Sequence, residues 1–179
     1  HGLMTPDTFI PLAEETGMIV DLGEWVVDQA LSQLASWRRK GFTGLQLAIN
    51  LSPKEFERED LPERLFQRVR AFAIPTAAVD IEITENLLMK DAEKNISMVK
   101  QLRNYGLRVS IDDFGTRYSS LNYLRRFPIN SIKVDQSFVR DLNPLNHSST
   151  SIIHAISCIA RSFGLRILAE GVETEAQRQ

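Results

Sequence analysis

Five short segments of this chain, 45–51, 79–84, 107–112, 131–135 and 165–170, have strand character, and each alternates apolar with polar side chains. Leu47, Ile49 and Leu51 oppose Ala48 and Asn50; Val79, Ile81 and Ile83 oppose Asp80, Glu82 and Thr84. Val109 and Ile111 oppose Arg108, Ser110 and Asp112, and Ile132 and Val134 oppose Lys133 and Asp135. In the last segment Ile167 and Ala169 oppose Arg166, Leu168 and Glu170. Helical patterns near 61–72, 92–105, 119–126 and 149–163 separate the strands, so right-handed crossovers should join them into a parallel sheet. An open parallel sheet is covered on both faces, and its strands are near-continuous apolar runs. One greasy face and one polar face suit a barrel ringed by helices instead. The predicted fold is therefore α/β, a (β/α) barrel. Its chemistry belongs at the C-terminal ends of the strands, where Asn50, Glu82, Asp112, Lys133 and Glu170 lie.

Two helices precede the first strand. Pro6 to Thr16 reads as one, with Thr5 as N-cap, Pro6 at the first helical position and Gly17 as terminator. Asp21 to Lys40 is the second, with an apolar stripe from Val26 to Trp37 and Gly41 at its end. Trp25 and Trp37 should pack outside the barrel. At 179 residues and 43% hydrophobic content the chain suits a single domain with one sizeable core. A net charge of -2 offers no electrostatic reason for a DNA, RNA or anionic membrane partner. Neither a signal pattern nor a membrane-length apolar run is present in the sequence. One cysteine, Cys158, rules out an intramolecular disulfide and fits a reducing, cytoplasmic compartment; its apolar helical setting predicts a buried, inert thiol.

The densest chemistry is Asp112-Asp113, at the end of the run Val109-Ser110-Ile111 and followed by Phe114-Gly115. Adjacent carboxylates at the end of a buried strand repel each other and resist desolvation, so positive charge should face them. One divalent cation, a pair of them, or a lysine would serve. Asn50, Glu82, Asp112, Asp113 and Glu170 are all oxygen donors, and no histidine or cysteine lies near these strand ends, which favours Mg²⁺ or Mn²⁺ over zinc or copper. Asp113 should point away from Asp112 in a regular strand; a break at Phe114-Gly115 would turn it inward, so that Asp112 could bridge two ions. Two such ions clamp the attacking and leaving oxygens of a phosphodiester displacement. Lys133 could orient or help deprotonate a water, or neutralise a phosphate. A plain ion pair of Lys133 with Asp112 or Asp135, and a turn role for Asn50 before Ser52-Pro53, are the simpler alternatives.

Six ordered segments carry a resemblance: Phe9-Ile10-Pro11-Leu12-Ala13-Glu14, Asn50-Leu51-Ser52, Glu82-Ile83-Thr84-Glu85, Asp112-Asp113-Phe114-Gly115, Lys133-Val134-Asp135 and Ala169-Glu170-Gly171-Val172-Glu173. Together they resemble the EAL domain family, phosphodiesterases that linearise cyclic di-GMP to pGpG on a TIM-like barrel. The resemblance implies Asn50, Glu82 and Asp112 as ligands of a first Mg²⁺ or Mn²⁺, and Asp112, Asp113 and Glu170 as ligands of a second. It implies Lys133 and Glu170 as catalytic groups, Asp135, Glu173 and Pro11 near the substrate or behind the ligands, and Glu85 as an anchor for the loop after Phe114. It further implies a homodimer and regulatory domains in a longer parent protein. Two departures stand out. Arg117 replaces a usual glycine in the loop after Asp113. The Glu-Ala-Leu segment and a last glutamine-bearing strand are expected outside this chain, which supplies five of eight strands, so the barrel is incomplete and the chain alone should be inactive. A member that binds cyclic di-GMP or a protein without catalysis is the alternative.

Overall fold

In a computed structural model of the chain, residues 2, 4–116, 121–142 and 147–178 are described. Five parallel strands form one sheet in the order β1-β2-β3-β4-β5, following the chain. The sheet is not closed. The chain divides into two compact units, residues 1–81 with 104–107 and residues 82–103 with 108–179.

The first unit contains α1 (Pro6–Thr16), α2 (Ile19–Arg39), β1 (Leu47–Asn50), α3 (Pro53–Phe56), α4 (Leu61–Ala71) and the first residues of β2 (Val79–Thr84). Helix α1 starts with proline after Thr5 and stops at Gly17, whose φ of 81° is the left-handed conformation that ends helices at low cost in glycine. The apolar stripe of α2 supplies buried Val27, Leu31, Leu34 and Ala35 to a core shared with Ile49, Leu51, Phe56, Leu65 and Val69. Val26 and Trp37, which bound the expected stripe, are instead exposed, as is Trp25. Glu24 of α2 pairs with Arg58, Arg64 and Arg68, and Arg68 also reaches Asp28 at 2.8 Å. Helix α3 opens on a capping box: Glu55 N–H donates to Ser52 Oγ at 3.3 Å, and Ser52 N–H to Glu55 Oε2 at 3.0 Å.

The second unit continues β2 and adds α5 (Glu85–Lys90), α6 (Ala92–Asn104), β3 (Arg108–Phe114), α7 (Leu121–Leu124), β4 (Ser131–Val134), α8 (Gln136–Arg140), α9 (His147–Ser162), β5 (Arg166–Ala169) and α10 (Glu175–Arg178). Ile83, Val109, Ile111, Ile132 and Val134 are buried on the apolar face, with Leu88, Val99, Leu102, Ile156 and Ala160 of the helices also in the core. Asn130 sets the register at the strand starts. Its side-chain oxygen accepts from Val109 N–H at 2.9 Å, its N–H donates to Val109 O, and its carbonyl accepts from Arg166 N–H. One step up, the hydroxyls of Ser110 and Ser131, paired residues of β3 and β4, hydrogen-bond at 2.7 Å.

Strand β5, at one end of the strand order, is exposed along its whole length, with Leu168 at 56%. Two expectations change. Cys158 is exposed, not buried: the inward stripe of α9 runs through Ile156 and Ala160, and Cys158 falls outside it. The helix expected from 149 starts at His147. Arg117 lies outside the described residues.

Candidate metal and phosphodiester site

The site grows from a defect in β3. Its partners across β4 run Ser110 to Ser131, Ile111 to Ile132, then Phe114 to Val134, so Asp112 and Asp113 together face the single residue Lys133. This is a bulge, and the residue that bends is Asp113, at φ 54°. Aspartate is among the few side chains that tolerate the left-handed region, because its short polar arm bonds locally. The break expected at Phe114-Gly115 therefore comes one residue earlier. Its consequence is the one foreseen: both carboxylates lie on one side, and Asp112, Asp113 and Glu170 each bring an oxygen within 4.8 Å of the others.

Lys133 stands against them from β4, a strand whose four residues are all buried. Its Nζ lies 2.9 Å from Glu82 Oε1, 3.2 Å from Asp112 Oδ1 and 2.5 Å from Glu170 Oε1. Asp112 Oδ1 also accepts from Asp113 N–H at 3.1 Å. Burial pulls the lysine down, but hydrogen bonds to Glu170 and Glu82 and the charge of Asp112 outweigh it, and the ammonium is held above its ordinary value. Asp113 is pushed up to about 6, by burial first and then by the charges of Asp112, Asp135 and Glu170. Asp135, at the N-cap of α8, is held below the usual carboxylate range by the Ser137 hydroxyl and N–H despite some burial; it also hydrogen-bonds Asp113.

The oxygen-only donor set and its excess of negative charge fit a hard divalent cation. Glu170 follows β5 directly, and Gly171 behind it adopts φ 69° with Gln136 so close that a Cβ there would lie 2.9 Å from Gln136 Cβ. Only glycine fits that turn without moving α8 or Glu170. Glu85, almost fully buried at the start of α5, accepts from Gly115 N–H at 2.9 Å and ties down the loop beyond Phe114. Glu173 is exposed, its backbone N–H donating to Gln177 Oε1, and it is not part of the carboxylate cluster. Asn50, exposed at the end of β1, and Pro11, exposed within α1, belong to the first unit. In the sequence Gly171 stands in a motif segment with no role of its own, though a glycine directly after a strand-end acid is a signal for one, and Asn130 carries no such signal.

An open groove in the first unit is lined by Val20, Val27, Leu51, Leu65 and the Arg58, Arg64 and Arg68 cluster. Glu24, Asp28 and Asp60 together balance those three guanidiniums, so the groove offers an anion no spare charge.

Parallel strands, crossover helices and an acidic rim with one central lysine define a TIM-like α/β domain. The profile of the EAL domain matches residues 1–179, and the chain belongs to that family. The bifunctional diguanylate cyclase/cyclic di-GMP phosphodiesterase MucR of Pseudomonas aeruginosa is 41% identical over 181 residues, a match covering 100% of this chain and 26% of that protein. The cyclic di-GMP phosphodiesterase PdeR of Escherichia coli K12 is 40% identical over 174 residues, covering 97% of this chain and 26% of that one. A solved structure, the PaMucR phosphodiesterase in complex with c-di-GMP, superposes with a TM-score of 0.95 at 40% identity, over 99% of this chain and 72% of that one. The chain thus spans about a quarter of the length of these curated relatives.

Proposed function

We propose that the protein carrying this chain is a Mg²⁺- or Mn²⁺-dependent phosphodiesterase that hydrolyses cyclic di-GMP to linear pGpG. The observation that carries the reading is the bulge at Asp113, which gathers Asp112, Asp113 and Glu170 around one point beside Lys133. Relatives of about 40% identity named for this activity support the substrate. Glu82, Asp112, Asp113 and Glu170 would hold the cation, with Asn50 added by the family resemblance. When bound, the cation lowers the pKa of a water and offsets phosphate charge.

The chain's own residues supply the rest. Lys133 stays protonated among its carboxylates, which suits it to orient a water or offset phosphate charge and not to take a proton. In the reaction water adds to phosphorus, one P–O3′ bond breaks, and the ribose oxygen leaves with a proton, giving the 5′-phosphate of pGpG. Glu85 keeps the loop after Asp113 close to the acids through Gly115. Asp135, held by the Ser137 hydroxyl and N–H at the start of α8, places its negative charge beside Asp113. The reading extends to a homodimer in the cytoplasm, governed by regulatory domains elsewhere in the protein. The greater length of the relatives supports such domains, and an exposed, unpaired Cys158 suits a reducing compartment. No helix among the described residues is long and apolar enough to cross a membrane.

The test is incubation of the full-length protein with cyclic di-GMP and Mn²⁺, followed by chromatography. Formation of pGpG that disappears in Asp112→Ala supports the enzyme. Binding of cyclic di-GMP by the wild type with no turnover would replace it with a non-catalytic receptor.

A further inference from the structure

Three of the acids that would hold a cation are already shared with an internal one. Asp112 and Glu170, of the three-carboxylate cluster, and Glu82 all contact Lys133 Nζ. The lysine is not a surface group that happens to swing in. It is 7% exposed, it stands on β4 between buried Ile132 and Val134, and its strand is paired on both sides, with β3 and with β5. Five carboxylates, of Glu82, Asp112, Asp113, Asp135 and Glu170, are linked to one another or to this single ammonium. Buried carboxylates left without such a partner would destabilise the fold strongly.

We propose that Lys133 is the resident counter-cation of the site and that a divalent cation binds by exchange against it, drawing Glu82, Asp112 and Glu170 away from the ammonium. The proposal rests on the metal-binding part of the reading above but not on the substrate. Its physical basis is competition: a divalent cation and an ammonium sharing these carboxylates repel each other within a few ångströms, where solvent screens little. The lysine therefore keeps the metal-free site intact and at the same time lowers metal affinity. Binding is weaker than the acid count would imply, and loading responds to the free concentration of the ion.

The experiment compares full-length wild type, Lys133→Met and Lys133→Arg by Mn²⁺ calorimetry and by thermal unfolding in chelator and in Mn²⁺. Lys133→Met should melt several degrees lower in chelator, bind Mn²⁺ about tenfold or more tightly, and gain more from Mn²⁺ than wild type does. Lys133→Arg, which keeps the charge, should stay close to wild type in affinity. A folded Lys133→Met that binds Mn²⁺ no more tightly than wild type overturns the proposal. Should that variant fail to fold under either condition, the wild type decides alone: the Lys133 side-chain ¹³Cε resonance, assigned through Lys133→Arg, must shift as Mg²⁺ saturates the site. A resonance that stays still overturns the exchange. Wild type that binds no Mn²⁺ at all fails the metal reading itself, a result distinct from binding that Lys133→Met leaves unchanged.

Discussion

Asp113→Asn should stabilise the metal-free protein at neutral pH, although it removes a charge from the centre of the site. Asp113 lies at φ 54°, which asparagine tolerates as well as aspartate does, so the backbone is unchanged. The amide can also donate to Asp135 as the protonated acid would. What the substitution removes is burial and repulsion, which raise the carboxyl from 3.8 to about 6. For a fully buried group that shift is worth about 3 kcal/mol. Solvent around this partly exposed side chain reduces it to about 1–2 kcal/mol. The pH dependence follows from linkage. Below about pH 3.8 the group is protonated in both native and unfolded chains and costs nothing. Between 3.8 and about 6 the unfolded chain releases its proton first, so wild-type stability falls as pH rises; above 6 the penalty is constant. Urea unfolding of both proteins in chelator, from pH 4 to 8, should therefore show the mutant ahead by about 1–2 kcal/mol at pH 7.5, with the gap closing toward pH 4. In Mn²⁺ at a hundred times its dissociation constant the wild type gains about 2.7 kcal/mol and the mutant much less, which reverses the order. A mutant no more stable than wild type at pH 7.5, or a gain independent of pH, would refute the argument.

Two glycines test the framework around the sites. A Cβ at Gly23 in α2 would overlap the Glu55 carboxylate, which Ser52 holds in its capping box, so Gly23→Ala should lose about 1 kcal/mol despite better helix propensity. In a Glu55→Ala background the same change should be neutral or stabilising by denaturant titration. Gly171→Ala meets both a left-handed φ and Gln136, and should cost about 2–3 kcal/mol. Because it displaces Glu170, it should also weaken Mn²⁺ binding by calorimetry.

Much of the frame is legible in the sequence because its signals are local. Alternation in five segments places the strands to within a residue or two, and β2 over Val79–Thr84 without change. Proline and glycine bracket α1 correctly. The short helices α3, α5 and α8 are not legible: at four to six residues they have no periodicity to read and exist because caps such as Ser52 and Asp135 sit where strands end.

The sequence by itself determined which chemistry is available, an oxygen-only set of acids and one lysine at strand ends, together with the family whose motifs order them. The tertiary structure decided how these groups meet. Register across β3 and β4 places two aspartates opposite one lysine, and the positive φ at Asp113 turns a residue that alternation would send outward into the cluster. Position in the sheet also differs between β4, which is wholly buried between two neighbours, and β5, which is exposed at the end of the strand order. Side-chain pattern is a property of neighbouring residues, whereas register and edge position depend on strands far apart in the chain. That is why Lys133 reads from sequence as one of several possible cations and emerges from the structure as the ammonium three carboxylates share.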